Sequence, residues 1–251
     1  PIDAVPGGTT LLCVGPPMAG KRRLALRLLA DGATDDDTTA LVSTDSSTAA
    51  LRAEYESALE GVSPAVGIVD CAGDAYGDPK DNEWTRHVSM PADLGSVGAA
   101  VTDLYDSLAS GRAGAVDRLG VLSLTTLALN ADLDRTIRFV HSLTRLVEDR
   151  DGLAVLTAHQ ESFDKTDLGQ VQSFVDGIVH VRDGTDGLEA RIEGLGADDG
   201  WHSVPVSTAP RHELGVPQPA TPAPGTSEPA ATSNDLAFDS LAELIEQVDS
   251  D

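Results

Sequence analysis

Thr10-Leu11-Leu12-Cys13-Val14-Gly15-Pro16-Pro17-Met18-Ala19-Gly20-Lys21-Arg22 is the stretch on which the fold turns. Its first five residues form a short apolar run bounded by glycine, the pattern of a buried strand. Lys21 to Ala30 reads as a helix, with Leu24, Leu28 and Ala25, Leu29 on neighbouring rows and Gly32 as its C-terminal stop. Between them, Gly15 to Lys21 fits the spacing GxxxxGK. A strand that feeds a glycine loop into a helix turns backbone N–H groups and the helix dipole toward a polyphosphate. The lysine of such a loop reaches the β- and γ-phosphates. Gly15, Pro16, Pro17, Met18, Ala19, Gly20, Lys21 and Arg22 are therefore the candidate cofactor-binding residues, with ATP as the cofactor.

The position after the lysine departs from the pattern. A Ser or Thr hydroxyl there would coordinate Mg²⁺, whereas Arg22 is a cation. Two readings stand. In one, Arg22 supplies positive charge in place of the metal and nucleotide binds without it. In the other, the loop is vestigial and Arg22 points into solvent or pairs with an aspartate.

Downstream, short apolar runs alternate with amphipathic stretches, the signature of βαβ units and a mostly parallel sheet. Strands are expected at Ala40 to Thr44, Ala65 to Val69, Leu119 to Leu124 and Leu153 to Thr157. Helices are expected around Leu51, Tyr55 and Ala58, from Val97 to Leu108 with Ser96 as cap, and from Leu133 to Val147. The polar stretch from Gly73 to Pro91 reads as one long loop. Gly177 to Arg182 and Leu188 to Glu193 flank a turn-rich segment and read as an antiparallel hairpin, with one more strand within Trp201 to Val206. The expected fold is an α/β twisted sheet, mostly parallel, with helices on both faces and antiparallel edge strands.

Composition sets the limits. Forty-one acidic residues oppose 17 basic ones for a net charge of −24, and Lys21, Lys80 and Lys165 are the only lysines. So acidic a surface resembles the cytosolic proteins of salt-accumulating haloarchaea, where a hydrated acidic shell keeps proteins in solution. It also argues against nucleic-acid binding, because phosphate contacts need Lys and Arg. No apolar run approaches the ~18 residues of a membrane span, and Pro1 to Gly8 lacks the basic-then-apolar pattern of a secretory signal. Cys13 and Cys71 sit in apolar runs and read as buried small hydrophobes. A cytoplasmic location is expected.

Leu119 to Leu127 (LGVLSLTTL) resembles the segment of KaiC-like and archaeal RadA-like members of the RecA superfamily in which an apolar strand ends in the metal-anchoring aspartate. Matched so, that aspartate position is Leu122. The resemblance runs from about Gly8 to Val206. It implies a RecA-like P-loop fold, ATP binding and assembly of subunits into rings or filaments. Where those ATPases carry two adjacent glutamates that polarise the attacking water, this chain reads Asp45-Ser46, and Leu156-Thr157-Ala158-His159-Gln160 is similar to the strand end that carries a sensor residue. Asp45 and Gln160 are thus the candidate catalytic residues. No metal ligand is expected, since neither Arg22 nor Leu122 can hold Mg²⁺. Ile68-Val69-Asp70 imitates a strand ending in the metal-binding aspartate, but family order puts it on the preceding strand.

The six histidines show no metal-ligand spacing, and only His159, at the end of a parallel strand, lies where open α/β sheets bind ligands. Residues 1–208 read as the P-loop domain. From about Ala209 to Asn234 the chain is rich in Pro, Ala, Thr and Ser, a flexible linker. Residues 235–251 then read as a short acidic amphipathic helix on Phe238, Leu241, Leu244, Ile245 and Val248, suited to docking on a protein partner or on its own domain. The leading functional expectation is a degenerate RecA/KaiC-like protein, a nucleotide-binding or pseudo-ATPase regulator with little Mg²⁺-dependent hydrolysis. The alternatives are a working RecA-like ATPase of DNA repair or recombination, and a signalling scaffold that needs no nucleotide.

Overall fold

A computed structural model describes residues 5–72, 84–108, 117–163, 165–185, 187–196 and 200–204. All of them belong to the unit Pro1–Ser207. The proline-rich segment and the terminal helix read from the sequence lie outside the described residues.

Among the described residues, nine strands form one sheet in the order β4-β3-β2-β5-β6-β1-β7-β8-β9. They are β1 (Thr9–Gly15), β2 (Thr38–Ser43), β3 (Ala65–Asp70), β4 (Thr85–His87), β5 (Asp117–Val121), β6 (Leu153–His159), β7 (Gly177–Gly184), β8 (Gly187–Gly194) and β9 (His202–Ser203). From β4 to β7 every pairing is parallel, and β8 and β9 add on antiparallel. The inner strands β1, β2 and β5 are buried along their whole length, as strands covered by helices on both faces must be. The expected α/β architecture is therefore present.

Helices α1 (Lys21–Ala30) and α2 (Thr48–Glu56) cover one face with Leu24, Leu26, Leu29, Leu51 and Tyr55. On the other face lie α3 (Leu94–Leu108), α4 (Leu124–Asn130), α5 (Leu133–Asp149) and α6 (Lys165–Gln172), which contribute Val97, Leu104, Leu127, Phe139 and Val171. With so few aromatics, aliphatic side chains fill both layers, each fully buried one worth roughly 1.5–3 kcal/mol. Cys13 and Cys71 are free and buried, and burial pushes both thiols up to about 12.

Three local expectations differ from the structure. The strand expected to run to Leu124 stops at Val121, because Ser123 caps a new helix by accepting from the Thr126 N–H at 3.2 Å. Helix α3 starts at Leu94 rather than near Val97, and its cap is Asp93, whose carboxylate accepts from the Ser96 N–H and hydroxyl. Part of the segment read as loop is β4, which pairs with β3 through Ile68 N–H to Trp84 O and Val88 N–H to Asp70 O. Three polar residues carry no hydrophobic period, and a short polar edge suits a strand with one free side.

The N-terminal ends of the strands, opposite the glycine loop, are tied by buried charges. Arg118 on β5 pairs with Asp37 at 3.1 Å and donates to the carbonyls of Leu29 and Asp31, which close α1. Beside it, Asp117 accepts from the Thr38 hydroxyl and pairs with Arg150 at 3.1 Å. Burial is the main force raising the Asp117 pKa, opposed by Thr38 and Arg150.

Candidate functional site

The loop from Gly15 to Arg22 joins the end of β1 to the start of α1, in the interior of the sheet between β6 and β7. Its two outer glycines are needed for different reasons. A Cβ on Gly15 would lie 2.3 Å from the backbone carbonyl oxygen of Val181 on β7, so only glycine lets the strands pack there. Gly20 has φ +81°, and a Cβ on it would meet Leu188 at 2.9 Å. Gly15→Ala is accordingly expected to cost about 1–3 kcal/mol, since a backbone neighbour cannot rotate away; a denaturant melt compared with Gly95→Ala, where the nearest atom is 3.4 Å away, measures it.

Met18 also takes a left-handed conformation, φ 61°, and is 93% exposed at the apex of the loop. Gly20 caps α1 without a side-chain hydrogen bond, and the first turn holds no acidic residue. The N–H groups at this helix end therefore meet no competing carboxylate, which suits them to an anion. Compare α2 and α5, whose first turns are closed by Ser47 and Asp132.

Lys21 is buried, and its ammonium donates to the carbonyls of Gly15 at 2.9 Å and Pro16 at 2.5 Å. Burial holds its pKa below the ordinary lysine range, with Glu161 among the groups pulling it back up. A phosphate group thus fits this cradle: the first turn of α1 has no side-chain cap and no acidic residue, and a buried ammonium is held by carbonyls alone.

Arg22 turns the other way. Its Nη1 donates to Asp45 at 2.8 Å and to the Ser46 hydroxyl at 2.7 Å, and its Nε donates to Glu54 on α2 at 2.8 Å. Its charge is thereby set against two carboxylates, and the triad carries net −1. Of the two sequence readings of this side chain, pairing with aspartate matches the geometry seen. The structure places Asp45 beside the loop as the partner of Arg22. Glu54 could not be picked out beforehand, because nothing in a helix pattern says which glutamate meets a residue 32 positions away.

Leu122 directly follows β5 and is 4% exposed, within the apolar layer of Leu26, Leu29 and Leu41. A divalent cation does not fit here: one usual ligand position is a paired guanidinium and the other a buried isobutyl group. Among the described residues, no group of three or more His, Cys, Asp or Glu is arranged to hold a metal ion. Asp70 ends β3, separated from β1 by three intervening strands, and accepts from the Ala72 N–H.

His159 ends β6 directly beside Gly15, as the strand register dictates. Its N–H donates to Thr125 at 2.8 Å, while its ring Nδ1 is buried without a hydrogen-bond partner among the described residues. Burial is the main cause of its lowered pKa; Lys21 adds to the effect, and Asp45 and Glu161 oppose it. The ring is neutral at pH 7. It contributes stability above its ordinary value of 6.5, and that contribution is lost as pH falls through the lower folded value. Gln160 and Glu161 follow in an exposed 3₁₀ turn, Gln160–Ser162.

Among the described residues, no helix is long and apolar enough to cross a membrane. Two solved structures are similar to this chain. The flagellar accessory protein FlaH from Methanocaldococcus jannaschii is 14% identical, with a TM-score of 0.50 over 76% of this chain and 80% of that one. The KaiC-like protein PH0186 from Pyrococcus horikoshii OT3 is 16% identical, with a TM-score of 0.49 over 75% and 80%. Identities this low speak to the fold alone, which is RecA-like. A search of curated proteins finds no match. The family of unknown function DUF7504 matches residues 8–181, a span that includes the loop, the Arg22 triad, Leu122 and His159. The chain is a member of that family, DUF7504, built on a RecA-like α/β fold.

Proposed function

We propose that this chain is a degenerate RecA/KaiC-like P-loop protein that binds the phosphates of a nucleotide without a divalent cation and hydrolyses them little or not at all. The observation that carries the reading is the pairing of Arg22 with Asp45, Ser46 and Glu54, set against the intact cradle around Lys21. Gly15, Gly20, Lys21 and the N–H groups of residues 18–22 would hold the phosphates. Arg22 contributes through its backbone, its side chain being spent on the carboxylates.

Hydrolysis needs a base and a way to neutralise charge developing on the phosphoryl oxygens. Asp45 is engaged by a guanidinium 2.8 Å away and already accepts its hydrogen bond, so its carboxylate is occupied. Ser46 has no basic character near neutral pH, and Leu122 offers no ligand. A regulator that changes state with nucleotide occupancy fits this arrangement better than a motor or recombinase. Glu54, on α2, and Asp45, past the end of β2, tie the loop helix to its neighbours, so loop occupancy can be felt at α2.

Calorimetric titration of ATP in concentrated KCl, first with Mg²⁺ and then with EDTA, tests the reading. The expected result is the same Kd in both. Binding that requires Mg²⁺ would refute metal independence, and heat in neither condition would remove nucleotide binding altogether. Lys21→Ala is expected to abolish the signal.

The acidic surface also supports a halophilic protein. With a net charge of −24, self-repulsion falls as the Debye length shrinks from ~10 Å at 0.1 M to ~3 Å at 1 M salt. Tm is expected to rise by several degrees between 0.1 and 2 M KCl; a flat or falling Tm would contradict the halophilic reading.

A further inference from the structure

The charges around the loop are unevenly placed, and that unevenness points to which nucleotide it takes. At the helix end the cradle is positive: the first turn of α1 holds no acidic residue and no side-chain cap, and Lys21 lies among carbonyls. Past the lysine the surroundings change sign. Asp45 comes just past the end of β2, locked with Glu54 onto Arg22. Glu161 follows β6, one residue past Gln160 in the turn after His159, and is close enough to interact electrostatically with both Lys21 and His159. In the sheet, β5 lies between those two strands, with the buried side chain of Leu122 at its end, and the neutral imidazole of His159 ends β6.

Two phosphates can be satisfied by the N–H groups and Lys21. A third has to share Lys21 with the second and adds negative charge near Asp45 and Glu161, since the Arg22 side chain is already committed to two carboxylates and, among the described residues, no group of ligands is arranged to bring a metal to it. Like charges meeting without a counterion oppose binding. We propose that the loop selects nucleoside diphosphates over the corresponding triphosphates, and does so without a divalent cation. This inference rests on the phosphate-binding reading above and adds the ligand class. Its consequence is a protein that reports the spent form of the nucleotide, the product of a phosphoryl-transfer reaction carried out elsewhere.

Titration of the full chain with ADP and with ATP at pH 8, both in EDTA and at matched KCl, is the test. ADP is expected to bind about tenfold more tightly than ATP, and the ratio should narrow as KCl is raised, because screening weakens the repulsion. Glu161→Gln removes one exposed carboxylate from the turn without touching the core, and it should improve ATP binding more than ADP binding. Equal or tighter ATP binding overturns the diphosphate inference while leaving metal-free binding standing. Failure of both nucleotides to bind overturns the two readings together. A preference for ADP that neither KCl nor Glu161→Gln alters overturns the electrostatic origin argued here.

Discussion

Arg118→Ala is expected to destabilise the protein by about 3–5 kcal/mol, the range for removing one partner of a buried ion pair. Arg118 and Asp37 are 6% and 4% exposed, so the substitution leaves a buried carboxylate without its counter-charge, though Thr34 still donates to it. It also removes the donors that satisfy the Leu29 and Asp31 carbonyls at the end of α1. Helix α1 begins at the phosphate loop, so its far end is anchored by a residue of β5. For a domain of this size the loss should lower Tm by roughly 6–20 °C. Asp37→Leu combined with Arg118→Met should restore only part of the loss, because a thioether cannot donate to the two carbonyls. A single-variant loss below about 1 kcal/mol in a denaturant melt would mean that water reaches this pair.

Leu122→Asp should have an effect of similar size, from the opposite cause. The substitution supplies the carboxylate that the end of β5 lacks. It also removes a side chain from the layer formed with Leu26, Leu29 and Leu41, and puts an unpartnered acid there. Lost apolar burial and desolvation together come to about 3–5 kcal/mol. The buried acid resists ionising, so the loss should deepen as pH rises from about 3.9, the unfolded value, to its raised folded pKa, and level off above that. In combination with Arg22→Thr, both missing ligand positions are filled. Adding Mg²⁺ to saturating nucleotide should then raise Tm of the double variant by several degrees further and leave that of the nucleotide-bound native chain unmoved. A double variant indifferent to Mg²⁺ would show that more than these two positions separates the native site from a metal-binding one.

The parts of the fold legible in the sequence are those set by short-range chemistry. β1, the loop and α1 follow from an apolar run, two glycines at fixed spacing and a helical period, and all three lie where expected. The β7–β8 hairpin was legible through its glycine-rich turn and pairs end to end, Gly184 with Gly187. Helix α6 was not anticipated: Lys165 to Gln172 has a weak apolar stripe, and Val171 is buried only because other elements cover it. β4 was missed because a polar edge strand leaves no alternation to read.

The amino-acid order alone determined that a glycine loop with one lysine would join a strand to a helix, and that positions 22 and 122 would lack oxygen ligands. Those are properties of single residues and their neighbours along the chain. Only the folded sheet decided what Arg22 does. Its partners Asp45, Ser46 and Glu54 lie 23 to 32 residues away and meet it because α1 packs beside α2 and the end of β2. The same holds for the closeness of Glu161 to Lys21, which follows from the pairing of β6 with β1. Charge neutralisation depends on distance through space, and the sequence carries that distance only after the strands have found their order.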